Sequence, residues 1–246
     1  QMLKAIGRSD LFLKLAFTKK AVILASLLIG FKFGIYGLIA AQGVSAFVNY
    51  LASIEVDKHS CENIYSNNDY DAQLRRENLN VYLNQMIDLA PRLLLIGEAP
   101  GYAGCRLTGV PFTSEKIIST NPFFKTQGYK TINDKNKLCA EQSATIVWNE
   151  LNRHRIKPLI WNIFPFHPYK PGDVLTNRAP NAKEVELGFH ILQELQQLFQ
   201  IEKIGAVGRK AAQMLEKNNI PCQYIRHPAN GGKREFVKGL KEFISE

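Results

Sequence analysis

The sequence predicts an α/β fold of three layers, α/β/α, around a central four-stranded parallel sheet, preceded by a hydrophobic helical hairpin. Three observations lead there. From about residue 76 onward, short apolar runs alternate with stretches of helical period, the pattern of a parallel sheet covered on both faces. Gly- and Pro-rich loops follow several of those runs, where open α/β sheets hold ligands. The first 54 residues are of another kind: Ala21 to Phe31 and Phe33 to Ile54 are largely apolar runs that carry no charge.

The elements follow in order. Residues 78–89 place Leu79, Tyr82, Leu83, Met86 and Ile87 on one face, a helix. Leu93-Leu94-Leu95-Ile96 reads as the first buried strand. Residues 141–155 are helical, with Ala144, Val147, Trp148 and Leu151 on the apolar side. Residues 159–164 form the second strand, and 184–199 the clearest amphipathic helix, through Leu187, Ile191, Leu195, Leu198 and Phe199. Residues 204–207 are the third strand, with Gly208 leading into a helix over 209–217. Residues 222–225 are the fourth strand. Phe236, Val237, Leu240, Phe243 and Ile244 mark a terminal helix. Residues 55–75 are polar, with Asn67-Asn68-Asp69, and read as a linker. The expected organisation is therefore 1–54 hydrophobic segment, 55–75 linker and 76–246 α/β domain.

Composition sets outer bounds. A chain of 246 residues with 46% apolar content holds one ordinary domain and an extension. The net charge is +9, but +5 of it sits in residues 1–54, so the α/β part is only mildly basic. That suits contact with a few phosphates. Cys61, Cys105, Cys139 and Cys222 show no Cys-x-x-Cys spacing and read as free thiols of a reducing compartment. No P-loop, Ser-His-Asp elbow or His-Glu-x-x-His occurs.

The N-terminal segment has three readings. Phe33 to Ile54 is a run of 22 uncharged residues, and a bilayer span takes about 20. A two-span hairpin turning near Phe31-Lys32-Phe33-Gly34 is the first reading, tethering the protein to a membrane from the cytoplasmic side. Buried soluble helices are the second and a signal peptide the third. Gln1 in first position is what a fragment would show. Gly7–Leu15 and Phe33-Gly34-Ile35-Tyr36-Gly37-Leu38, with Gln42, resemble part of a polysaccharide or O-antigen flippase. The likeness is confined to this segment, and no transport is assigned to it.

Three strand-end loops carry the candidate chemistry. The first is Gly97-Glu98-Ala99-Pro100-Gly101-Tyr102-Ala103-Gly104, followed by Thr108-Gly109-Val110-Pro111-Phe112. Its glycines let backbone approach a ligand, its prolines stiffen the loop and Phe112 offers a flat ring. The second is Trp161-Asn162-Ile163-Phe164-Pro165-Phe166-His167-Pro168. Asn162 sits in an apolar strand, where it is either satisfied by backbone or reads a base edge. An amide that donates to uracil O4 and accepts from N3–H rejects cytosine, which reverses both polarities. The third is Arg226-His227-Pro228-Ala229-Asn230-Gly231-Gly232, leading into Lys233-Arg234. His227 is either structural or placed to stabilise negative charge, and the flexible Asn-Gly-Gly with its cations suits a DNA backbone.

Together these loops resemble the uracil-DNA glycosylase superfamily over about residues 76–246. Loop one looks most like the single-strand-selective monofunctional enzymes. Asn162, Pro168, Asn177-Arg178-x-Pro180 and Glu184 look like the iron–sulfur group. The resemblance implies a monofunctional hydrolase that extrudes uracil from DNA, cleaves its N-glycosidic bond and leaves an abasic site, as a monomer in the cytoplasm. Phe112 would stack on the base, Asn162 read its edge and His227 stabilise the leaving group. Gly97, Ala99, Pro100, Gly101 and Tyr102 would line the base site; Arg226, Asn230, Gly231, Lys233 and Arg234 would hold DNA.

The departures matter as well. The cluster cysteines are missing, with Phe166 near the place of one, so neither cluster nor other cofactor is expected. Ala99 stands where several members place a water-orienting Asp or Asn, leaving Glu98 as first choice and Glu115 as second. Gly101 stands where strict uracil enzymes have a methyl-blocking Tyr, so 5-substituted uracils fit unless Tyr102 fills the space. Ala229 replaces the usual Ser, and the His-Pro loop lacks a bulky apolar wedge. Two alternatives stay open: a noncatalytic or differently reactive nucleic-acid-binding member, and a membrane-associated interaction protein.

Overall fold

The computed structural model describes residues 42–66, 70–125 and 127–245. Chain contacts separate two compact units, Gln1–Gly43 and Val44–Glu246, and the second is described below. The expected hairpin and its flippase likeness fall on residues 1–41, outside the described residues, except for the end of the second apolar run.

In chain order the elements are α1 (residues 42–53), β1 (Cys61–Glu62), α2 (Tyr70–Leu89), β2 (Leu93–Gly97), α3 (Cys105–Thr108), α4 (Glu115–Thr120), α5 (Pro122–Lys125), α6 (Gln142–His154), β3 (Leu159–Asn162), β4 (His167–Pro168), α7 (Ala182–Gln196), β5 (Lys203–Val207), α8 (Arg209–Lys217), β6 (Gln223–Ile225) and α9 (Lys233–Ser245). Four strands form a parallel sheet in the order β3-β2-β5-β6, flanked by helices as expected. Each of these strands is short and apolar. Leu94, Leu95, Ile96, Ile160, Trp161, Ala206 and Val207 are all buried, as strands covered on both faces must be. The register pairs Gly97 with Asn162 at the carboxyl ends of β2 and β3. The helices between strands close well-formed ends: Asn181 makes a capping box with Glu184 at the start of α7.

The domain boundary differs from the one expected. Val44, Phe47, Val48 and Leu51 of α1 are buried in the core of the α/β unit, and Phe47 packs on Trp161 of β3 with ring centroids 5.8 Å apart. The end of the second apolar run is thus core rather than membrane span. Among the described residues no helix is long and apolar enough to cross a membrane.

Residues 55–66 and 70–75, expected as linker, are also packed. β1 pairs antiparallel with β4, and Cys61, Ile64 and Tyr65 are buried. Asn63 Nδ2 donates to the carbonyls of Leu51 and Ile54, 2.8 Å each, closing the end of α1. Arg178 Nη2 donates to Ser60 O at 2.9 Å. The polar composition of this stretch, misread as solvation, supplies the internal partners that hold it down.

Candidate active site

The site is a small cavity of about 60 Å³ at the carboxyl ends of the strands. β2 contributes Glu98 and Ala99 just past its end, β3 contributes Asn162 as its last residue, and the loop after β6 contributes His227. Gly101, Cys105, Phe112 and Glu141 complete the wall. Asn162 is 3% exposed, and among the described residues its carboxamide has no hydrogen-bond partner. The amide therefore faces the cavity with its polar edge open to a ligand. The alternative of an Asn satisfied by backbone does not hold.

Phe112 is held in an unusual backbone conformation, φ 50°. Such a conformation costs about 1–3 kcal/mol for a non-Gly residue and persists only where its surroundings impose it. Here Trp148 Nε1, on α6, donates to the Phe112 carbonyl at 2.9 Å. The preceding turn is tied by Thr113 Oγ1 to Val110 O at 2.7 Å. The Phe112 ring lies over Gly97: a Cβ there would sit 2.6 Å from Phe112 Cζ and 2.9 Å from Asn162 Oδ1. Gly97 thus acts through its missing side chain, allowing ring and amide to meet above the strand end.

His227 is half-buried beyond the Phe112 ring, centroid to centroid 6.3 Å. Ala229 N–H donates to His227 Nδ1 at 3.2 Å, so Nδ1 is the acceptor and the proton belongs on Nε2. Burial, with Arg226 adding to it, lowers the pKa of His227. The ring is therefore a neutral hydrogen-bond donor. Gly232 is required behind it, because any Cβ would collide with the His227 carbonyl.

Two carboxyls face this space. Burial raises the pKa of Glu98, with Lys210 opposing the rise. Burial raises that of Glu141 to about 7, with a hydrogen bond from Ser143 opposing. Glu115 is a structural group: buried at the start of α4, it accepts from Asn133 N and Nδ2, 2.8 Å each, and from Cys139 N at 3.1 Å.

Glu98 and His227 also border an outer hollow of about 630 Å³, whose walls include Arg209, Lys210, Tyr224 and Arg226. A family model of the uracil DNA glycosylase superfamily matches residues 85–242, most of the described unit. The chain belongs to that superfamily. Among solved structures it is similar to wild-type SMUG2 of Pedobacter heparinus, at 17% identity and a TM-score of 0.63. The match covers 84% of this chain and 97% of that one, a likeness of fold. A search of curated proteins found no match.

As a uracil-DNA glycosylase superfamily member, the protein brings together Glu98, Ala99, Gly101, Phe112, Asn162 and His227 of the residues expected from sequence. Others stand apart. Pro100 is buried, and its carbonyl lies 2.8 Å from His167 Nδ1. Tyr102 is 41% exposed, does not border the cavity, and gives its N–H to Asn177 Oδ1 at 3.0 Å. It does not fill the space beside Gly101, where an added Cβ would meet only Asn177 Nδ2 at 3.9 Å. Arg226 and Asn230 border the outer hollow, and Arg226 Nη1 donates to the His227 carbonyl at 3.0 Å. Gly231, Lys233 and Arg234 border a separate hollow of about 440 Å³ with Arg153.

Sequence reasoning missed Glu141, Cys105 and the cations Arg209 and Lys210 as neighbours of the site. Cys105 is buried, and desolvation pushes its thiol well above the usual range, so it is an inert wall. The cysteines are dispersed, and among the described residues no three His, Cys, Asp or Glu side chains are arranged so that they could hold a metal ion. The thiolates of an iron–sulfur cluster have no counterpart in this set.

Proposed function

We propose that the protein hydrolyses the N-glycosidic bond of uracil in DNA, releasing free uracil and an abasic site. The observation that carries this reading is the unpartnered Asn162 carboxamide, facing a cavity walled by the Phe112 ring and the neutral His227. The amide accepts from uracil N3–H and donates to O4, and Phe112 covers a face of the base. As the bond to the sugar lengthens, the base gains negative charge and the sugar takes oxocarbenium character. His227 Nε2–H donates to the developing anion at uracil O2, a neutral donor fixed in place before the reaction. Glu98, ionised, orients the water that attacks C1′ in place of the side chain that Ala99 lacks.

The cavity of about 60 Å³ holds roughly two waters, so the base enters as the Phe112 and His227 loops part. DNA as substrate places the protein where the genome is. The room beside Gly101 admits 5-substituted uracils. Competition by 5-hydroxymethyluracil oligonucleotides tests that extension, and its complete exclusion would end it.

The primary test is alkaline cleavage of labelled uracil oligonucleotides, single- and double-stranded, by the full chain and by an Asn162→Ala/His227→Ala double variant. Uracil-dependent cleavage lost in the double variant is expected. Ala99 favours a second reading, a nucleic-acid-binding member without hydrolysis; tight uracil-DNA binding with no abasic product would select it.

A further inference from the structure

The outer hollow is not used by the reaction above. It measures about 630 Å³ and touches the base cavity through Glu98 and His227. One wall is aromatic. Tyr224, in the edge strand β6, is 45% exposed there. Strand alternation explains its direction: Ile225 turns into the core and Tyr224 away from it. Among the described residues neither the Tyr224 ring nor its hydroxyl has a side-chain partner. Another wall is cationic, with Arg209 and Lys210 at the start of α8 and Arg226 beside the histidine.

A single exposed Tyr is ordinary on a protein surface. This one borders a hollow shared with three cations and with His227. A ring for stacking and a positive wall for the backbone are the two requirements for holding unpaired nucleic acid. The hollow lies in the size range of small-ligand sites, about 300–1,000 Å³.

We propose that the hollow is a second nucleobase subsite. It takes an unpaired base adjacent in the strand to the one in the cavity, stacked on Tyr224, with the linking phosphate against Arg209 and Lys210. The ligand is a single-stranded deoxynucleotide; the identity of the first base as uracil rests on the glycosylase reading. A paired neighbour would have to leave its own stack to reach the subsite, at a further unstacking cost, so single strands are favoured over duplex.

The experiment uses the full chain and single-stranded oligonucleotides with 2-aminopurine immediately 5′, immediately 3′ or four positions away from a 2′-fluoro-deoxyuridine that resists cleavage. Wild type and Tyr224→Phe are expected to quench 2-aminopurine at one adjacent position and not at the distant one. Tyr224→Ala is expected to lose that quench and bind the single strand about tenfold more weakly. The same quench and affinity in Tyr224→Ala would overturn the subsite. Excision from the matching natural uracil strand is measured in parallel. Quenching without excision by wild type would keep the subsite and remove the glycosylase assignment. Excision without adjacent quenching would do the reverse.

Discussion

Glu141 shows what a single residue gains from the fold. Its carboxyl, 44 residues past Gly97 in sequence, is brought to the same cavity and desolvated until its pKa reaches about 7. Because folding raises this pKa above 4.5, the folded protein keeps a proton that the unfolded chain releases. That contribution is complete below pH 4.5 and lost as pH rises through 7. Glu141→Gln is therefore expected to unfold like wild type at pH 4 and to gain up to about 3 kcal/mol over it at pH 8, read by urea titration. Equal shifts at both pH values would contradict the assignment. Glu98 has the same direction of shift and a different consequence: as the proposed base it acts ionised, so excision should fail on the acid side. Glu98→Gln should lower the single-turnover rate and flatten that acid limb. His227→Ala should cost the chemical rate more than DNA affinity, and equal losses would remove its role at the leaving group. Asn162 and His227 were legible because each closes a strand within a Pro- or Gly-rich loop. Glu141 was not, since an acid beginning a helix reads as a partner of the helix dipole.

At the level of elements, the four sheet strands and the five longest helices of the 76–246 region were readable, because each has an apolar face of the right period. The first two turns of α2 were not. Their buried positions include Arg75, which pairs with Glu62 at 3.3 Å, so a charged residue sits where the pattern demands an apolar one. α3, α4 and α5 are too short to show a period, and α3 also hides within the Gly-rich loop. Those short helices matter, since α3 and α4 flank the strained Phe112, whose carbonyl is pinned by α6 through Trp148. Trp148→Phe deletes that one donor. It should cost about 1–3 kcal/mol, the penalty of a buried carbonyl left unpaired, and lower excision by relaxing the ring from its place over Gly97. A melt and a single-turnover assay on the same sample separate the two effects. Full activity in a destabilised variant would show that the ring needs no such anchor.

For the whole molecule, the boundary decides stability. Four side chains of α1, Val44, Phe47, Val48 and Leu51, lie in the core, each contributing about 1.5–3 kcal/mol on burial. Their sum rivals the net stability of a typical domain, about 5–15 kcal/mol. A chain starting at residue 55 should therefore unfold or aggregate, whereas one starting just before α1 should melt cooperatively; circular dichroism on both decides it. The sequence concealed this because an apolar helix reads alike whether its surroundings are lipid or protein. The parallel order β3-β2-β5-β6 has a last consequence, in time. Gly97 and Asn162 leave the ribosome well before His227, and at about 5–20 residues per second the interval is on the order of ten seconds. The central strand β2 acquires its neighbour β5 only late in that interval, and pairing so distant in sequence is slow to form. A nascent chain can thus shape the floor of its pocket yet lack His227, the donor proposed for a leaving base. On the proposed mechanism, competence to cut waits for the loop after β6.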